Sequence, residues 1–248
     1  MLKKERHAYI MKQINLHNKV LSSDLSIQLD VSEDTIRRDL NELGEDGKLL
    51  KVHGGALSKS FHFPFQENEV YAQSAKRSVA LKAISLIKEG MVVLTGGGTT
   101  MIELAKLIPA DLEATFFTIS PLVALELVEH QKLTVILIGG QLSKNAHINI
   151  GASVINDLSE IKVDVCFLGA NGIDAKEGIT DSDWEVVQVK KAMIKCTSKI
   201  AILSISEKLN SVQKMRVCGL NEVSHFITEL EPKSVELDSF KDFNLNII

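Results

Sequence analysis

No stretch of this 248-residue chain approaches the ~20 consecutive apolar residues that a membrane span requires. The apolar runs, such as Thr134 to Ile138 and Ile200 to Ile205, are only strand-length. The opening Met-Leu-Lys-Lys-Glu-Arg-His has no apolar region after its charges, so it does not read as a secretory signal, and a cytoplasmic chain without a membrane partner is expected. Cysteine is scarce: Cys166, Cys196 and Cys218 are far apart and form no CxxC or Cys/His zinc spacing. They read as small buried hydrophobes, so no metal and no cofactor is expected. An excess of positive charge is also lacking. The net charge is −4, and residues 1–58 hold nine Lys/Arg against nine Asp/Glu. Bulk attraction to a polyanion is thereby excluded, and any nucleic-acid binding must come from local placement of cations. There is no internal repeat and no low-complexity tract.

What is present is 45% hydrophobic and 24% charged, ordinary values for a soluble globular protein. Residues 2–17 read as a helix with Ile10, Met11 and Ile14 on its apolar face. After the short apolar Val20-Leu21, Ser22 or Ser23 can cap a second helix carrying Leu25 and Leu29. Asp30-Val31 make a turn. Ser32 then caps a third helix, with Glu33 and Asp34 in its first turn and Ile36, Leu40 and Leu43 facing inward. Gly44 and Gly47 are expected to end it. Lys48 to Val52 alternates toward His53-Gly54-Gly55, one arm and the tip of a β-hairpin. Three helices and a hairpin describe a winged helix-turn-helix over 1–57.

Residues 58–75 read as a linker whose Phe61, Phe63 and Phe65 pack against something. From 76 to 248 helices and apolar strands alternate. Helices are expected at 76–89, 99–107, 121–130 and 183–199, and strands at 92–95, 115–119, 134–138, 164–168, 200–205 and 225–228. That alternation calls for right-handed crossovers and a parallel sheet covered on both faces, an α/β main domain.

In a helix-turn-helix the second helix of the motif enters the major groove of double-stranded DNA and its N-terminal residues reach base edges. Here that surface is Ser32, Glu33, Thr35, Arg37 and Arg38, with Asn41 further along. Arginine forks match guanine edges or phosphates bidentately. The ordinary alternative is a pair of i,i+4 ion pairs, Glu33–Arg37 and Asp34–Arg38, on a solvated helix. Lys48, Lys51 and His53 on the wing are candidate phosphate contacts.

A second candidate site begins at Val92-Val-Leu-Thr-Gly-Gly-Gly-Thr-Thr100, a strand, a glycine turn and a helix start. Gly96, Gly97 and Gly98 let backbone N–H groups converge on an anion, while Thr99 and Thr100 add hydroxyls and the helix its dipole. The loop is neither a Walker A nor a Rossmann fingerprint. Ser120, Gly139-Gly140, Gly169 with Asn171, and Asp174 stand at or near other strand ends, where ligands bind in open α/β sheets. Each alone reads as a turn. Lys190 falls beside the buried stripe Val186, Val189 and Met193, whereas Lys191 faces solvent. A lysine at a buried edge wants an anionic partner, unless it merely snorkels.

The segment Val31-Ser-Glu-Asp-Thr-Ile-Arg-Arg-Asp-Leu-Asn-Glu-Leu43, followed by Gly-Lys-Leu-Leu-Lys-Val-His-Gly-Gly-Ala at 47–56, resembles the DNA-reading helix and wing of the DeoR family of bacterial sugar-catabolism repressors. The resemblance continues through Thr99-Thr100, Ser120, Gly139-Gly140, Gly151, Gly169, Gly172-Ile173-Asp174, Gly178 to Thr180 and Lys190 to Met193. Ser206 and Lys208 resemble a later Ser-Lys pair. It implies a ribose-5-phosphate-isomerase-like main domain that takes a phosphorylated sugar as effector, in a homo-oligomer. This chain departs from the pattern at Gly96, Ile119 and near Ser204, where acidic or amide residues are usual. Those changes strip polar contacts from the sugar side and leave the phosphate cradle.

Two other readings remain at this stage. A sugar-phosphate isomerase would need a positioned general base, and the chain has Asn171-Gly172 where the isomerases carry an acidic cluster, so no catalytic residue is expected. An α/β interaction module without a ligand is the other.

Overall fold

A computed structural model describes residues 1–59 and 71–248. Phe61, Phe63 and Phe65 lie outside the described residues. The chain divides into two compact units, Met1–Tyr71 and Ala72–Ile248.

The first unit runs α1 (Lys3–His17), β1 (Lys19–Leu21), α2 (Ser22–Leu29), α3 (Glu33–Glu45), β2 (Leu49–Val52) and β3 (Gly55–Ser58). Ile10, Ile14, Leu25, Ile36, Leu40 and Leu43 close into one apolar core, as their helical spacing predicts. Ser32 caps α3 by accepting the Thr35 amide at 3.3 Å. Ser22 and Ser23 do not cap α2; Leu21 holds the cap position and the Ser22 side chain is buried. The third helix continues through Gly44 to Glu45.

The expected hairpin is there, and Val20-Leu21 adds a third strand to it, in the order β1-β3-β2. This pairing explains Gly55. A Cβ there would lie 2.0 Å from the Val20 carbonyl oxygen, so only glycine lets the strands meet.

A buried charge cluster ties α1 to α3. Asp39, 2% exposed on α3, accepts from Arg6 through both Nε and Nη2, and from His7 Nε2 at 3.0 Å. Burial alone would raise its pKa, but the hydrogen bonds and charges of Arg6 and His7 outweigh it and hold the carboxyl below the usual range.

The second unit begins with α4 (Gln73–Ile84), then β4 (Val92–Thr95), α5 (Thr99–Lys106), β5 (Ala114–Thr118), α6 (Pro121–Leu127) and β6 (Leu133–Leu137). After the short pair β7 (Gln141–Leu142) and β8 (Asn149–Ile150) come α7 (Ala152–Ser159), β9 (Val165–Gly169), β10 (Gly172–Asp174) and β11 (Gly178–Asp181). The chain closes with α8 (Trp184–Lys195), β12 (Ile200–Leu203), β13 (Met215–Cys218), β14 (His225–Ile227) and β15 (Asn246–Ile247).

Seven strands form a parallel sheet in the order β15-β14-β12-β9-β4-β5-β6. From β4 the chain first builds outward through β5 and β6, then returns to lay β9 on the other side. The sheet's topological switch point is therefore β4/β9, where carboxyl strand ends open a crevice. The main core lies along this sheet, with Leu94, Cys166, Leu168 and Ile202 all at 1% exposure or less. Cys196 and Cys218 are buried in the same core, as small hydrophobes would be, and burial pushes the Cys218 thiol up to about 12.

The small antiparallel sheet β10-β11-β13 was not expected from the sequence. Its strands are three or four residues long and rest on close glycine approaches. At Gly178, with φ +75°, a Cβ would stand 2.3 Å from the Cys218 carbonyl.

Replacing Asp39 with Asn strands the Arg6 guanidinium and should cost about 3 kcal/mol of stability in the N-terminal unit. Urea unfolding of the full chain, followed by circular dichroism, checks this. The carboxylate's contribution is complete above its unfolded pKa near ~3.9 and lost as pH falls through the lower folded value. The difference between wild type and variant should therefore shrink in acid.

Candidate functional site

In the first unit, α3 presents the predicted reading surface. Ser32 is spent on capping, and its hydroxyl also meets Thr35 Oγ1 at 2.9 Å. Arg37 bonds Glu33 at 2.6 Å and Asp34 at 3.2 Å, so one of the two proposed ion pairs forms. The second does not. Asp34 turns to Arg37, and among the described residues Arg38 is exposed and makes no ion pair. On the wing, Lys48 pairs with Asp46 at 2.9 Å, and Lys51 donates to Asn41 at 2.7 Å. His53 is exposed in the turn beside Gly54, whose φ is +75°.

In the second unit the crevice at β4/β9 gathers a part of the predicted set. The Gly96 amide donates to the Phe167 carbonyl at 3.0 Å. Gly97 is packed so closely that a Cβ would meet Ile148 at 2.3 Å and the Ser120 hydroxyl at 3.4 Å. Gly98 has φ +108°, a conformation suited to glycine, and α5 starts at Thr99. The Met101 and Ile102 amides bond the Gly98 carbonyl, at 3.0 and 3.1 Å, which leaves the Thr99 and Thr100 amides at the helix start without an acceptor in the helix. Gly169 faces the same loop: a Cβ on it would lie 3.7 Å from the Gly97 carbonyl oxygen.

Lys190 does have an anionic partner. It is Asp181, at the end of β11, 2.7 Å from the ammonium. Lys190 also donates to the Gly169 carbonyl at 2.8 Å. The other oxygen of Asp181 accepts from Asn171 at 2.8 Å and from the Ser182 amide at 2.7 Å. Burial opposes ionisation of Asp181, but Lys190, the Ser182 amide and Asn171 outweigh it and hold the carboxyl below its ordinary value. A carboxylate so depressed and so fully bonded is a poor general base.

Two further lysines belong here. Lys208 donates to the Ala170 carbonyl at 2.8 Å, one residue along from the carbonyl that holds Lys190. Enclosure of its amino group, together with the charges of Lys76 and Lys190, lowers its pKa to about 7 against the pull of Asp181. Lys76, 7% exposed on α4, is lowered to about 8 by burial, with Glu103 and Glu207 opposing. Sequence reasoning missed Lys76 and Asp181. Lys76 lies three, four and seven residues before the buried Val79, Ala80 and Ala83, the same stripe logic that singled out Lys190.

The remaining predicted residues are elsewhere or otherwise engaged. The Ser120 side chain caps α6 and donates to the His147 carbonyl. Asp174 accepts the Lys176 and Glu177 amides and holds the β10–β11 turn, at the far end of that hairpin from Asn171. Gly139 and Gly140 are exposed after β6, and a Cβ on Gly140 would strike Val154 at 2.5 Å. At the three departures the surroundings are mostly apolar or closed. A Cβ on Gly96 would touch Leu168 and Phe167 at 3.6 Å, Ile119 is buried in the core, and the Ser204 hydroxyl turns back to the Ile205 carbonyl.

Comparison with known proteins agrees with these two units. Residues 6–61 match the DeoR-like helix-turn-helix domain, and residues 72–230 match the DeoR C terminal sensor domain. The chain is 32% identical to the uncharacterized HTH-type transcriptional regulator YulB of Bacillus subtilis, over 95% of this chain and 93% of that one. It is 31% identical to the HTH-type transcriptional repressor GlcR of the same organism, over 96% and 93%. It is also 30% identical to the L-fucose operon activator of Escherichia coli, over 92% and 96%. Among solved structures, a D-ribose-5-phosphate isomerase in complex with phospho-erythronic acid aligns at 18% identity and a TM-score of 0.40, over 54% of this chain and 52% of that one. The chain belongs to the DeoR family, transcriptional regulators and not enzymes, with an N-terminal helix-turn-helix and a C-terminal sensor domain built on a parallel sheet.

Proposed function

We propose that this regulator represses a sugar-catabolism operon and is released from its operator by a phosphorylated sugar bound at the β4/β9 crevice. The observation that carries the reading is the convergence of a glycine turn, a helix N-terminus and lysine side chains at the switch point of the sheet. Donors and positive charge of that kind suit a phosphoryl group. Gly96, Gly97, Gly98, Thr99, Thr100, Gly169, Asn171 and Lys190 are the effector residues in this reading. Of the relatives, GlcR is named a repressor and the fucose protein an operon activator.

The DNA-binding surface is Ser32, Glu33, Thr35, Arg37 and Arg38 of the recognition helix, with Lys48, Lys51 and His53 of the wing toward phosphates. A homo-oligomer places two such helices ~34 Å apart to read half-sites on one face of the duplex. A sugar phosphate that favours another arrangement lowers operator affinity by linkage. No described helix is long and apolar enough to cross a membrane, and a regulator of operator DNA works in the cytoplasm.

The direct experiment is a gel shift of the full chain on DNA from its own promoter region, titrated with a panel of sugar phosphates that raise its melting temperature. Release by at least one of them is expected. If every sugar phosphate that binds leaves operator affinity unchanged, the coupling is wrong.

Arg38→Ala should weaken operator binding by roughly 10-fold or more, within the ~1–3 kcal/mol of a bidentate contact. Arg37→Ala should cost less, because its guanidinium is shared with Glu33 and Asp34. Equal, negligible effects in gel shifts would return both to the surface ion-pair reading. Lys190→Met combined with Asp181→Asn removes both charges without leaving a buried carboxylate unpaired. That double variant should keep operator binding and lose the response to effector.

A further inference from the structure

The parallel sheet of the sensor domain ends unevenly. On one side β15 is only two residues long, Asn246–Ile247. On the other, β6 offers five residues and, among the described residues, has β5 as its single neighbour in that sheet. The Ile138 amide, just past the strand, donates to the Thr118 carbonyl of β5 at 2.9 Å. Backbone groups alternate sides residue by residue along a strand. The N–H and C=O of Val135 and Leu137, and the carbonyl of Leu133, therefore point away from β5. The Leu133 amide is used locally and donates to the His130 carbonyl at 3.2 Å.

Edges of this kind are commonly blunted by charge, proline or a bulge. Here no charged residue and no proline stands between Lys132 and Lys144, and β6 keeps an unbroken register with β5. The exposed side chains are apolar as well. Leu125 and Val128 on α6, which packs on β5 and β6, Ile136 and Leu137 on β6, and Leu142 on β7 are 38% to 59% exposed. Together these five side chains present on the order of 400 Å² of apolar surface, a size that marks an interaction surface. A standard interface takes ~800 Å² from each partner and is a little over half apolar, so the patch supplies the apolar share of one such interface.

We infer that β6 is the contact between two copies of this chain, joined edge to edge across a two-fold axis. A strand edge is matched by another strand, and a two-fold axis sets β6 antiparallel to its own copy. With the axis on Val135, that residue exchanges both backbone bonds with its copy, and the Leu137 amide reaches the partner's Leu133 carbonyl. Thr134, exposed, then lies directly opposite the partner's Ile136. With no charge on the strand, self-pairing sets no like charges face to face, whereas a charged partner would find no counter-charge there. The inference rests on the homo-oligomer of the reading above, and gives it a surface two strands away from the β4/β9 crevice.

Charge placed across the two-fold tests this in the full chain. Thr134→Lys with Ile136→Lys sets lysine opposite lysine, and Thr134→Glu with Ile136→Glu sets glutamate opposite glutamate. Both positions are exposed, so the fold should hold, and unchanged far-ultraviolet circular dichroism checks it. In sedimentation equilibrium at micromolar concentration, wild type should be a dimer or a larger even assembly. Each variant alone should fall to half that mass or less. An equimolar mixture of the two variants should recover the wild-type mass, because each lysine then faces a glutamate; two misfolded chains would not do so. If both variants keep the wild-type mass, or their mixture stays at the mass of the separate variants, the inference is overturned and the homo-oligomer reading stands. A monomeric wild type overturns both together and leaves the effector site untouched.

Discussion

The ion pair between Lys190 and Asp181 is the contact that holds the β9 end of the sensor domain's crevice together. It spans from α8 to the end of β11 and reaches the Gly169 carbonyl at the tip of β9. Three elements of one stretch of chain, β9, β11 and the helix that directly follows β11, are thereby fixed around the sheet's switch point. Buried as it is, the pair need not add much net stability, because desolvation offsets most of its attraction. Its effect is positional. Lys190 is thereby held in place by an internal carboxylate, whereas Lys208 beside it bonds only the Ala170 carbonyl among the described residues.

The same division appears in the DNA-binding unit. Asp39 collects Arg6 and His7 and locks α1 against α3, so the reading helix is held by a charge cluster on its buried side. On its exposed side, Glu33 and Asp34 occupy Arg37 and leave Arg38 uncommitted among the described residues. A segment with no net charge can thus still present a cation that its own carboxylates do not reach.

Much of the architecture was legible before the structure. Period-3.6 stripes gave Ile36, Leu40 and Leu43 as one buried face, and strand-length apolar runs marked Val92–Thr95 within a residue of its ends. Helical angle placed Lys190 at the edge of the buried stripe, where the structure gives it Asp181, an internal carboxylate, as its anionic partner. What stayed hidden was contact between distant short segments. Nothing in Val20-Leu21 says that it pairs with a strand more than thirty residues later, nor in Asp181 that it answers Lys190. The strands of the small antiparallel sheet are too short to show a period. Asp174 illustrates the converse: a carboxylate at a strand end looked like a ligand contact, yet its oxygen caps a local turn. Asp and Asn satisfy nearby backbone amides so readily that a strand-end position is weak testimony for a site.

The contrast between Lys190 and Lys208 suggests a sharper way to read such crevices. Burial by itself makes a lysine conspicuous, but a buried lysine that has found its carboxylate is already satisfied and acts as scaffold. The informative residue is the neighbour left over once internal pairs are assigned. In this sensor domain the carbonyls of Gly169 and Ala170 bring two lysine amino groups together, and Asp181 bonds one of them. Lys208 is the amino group of this pair that no carboxylate bonds among the described residues.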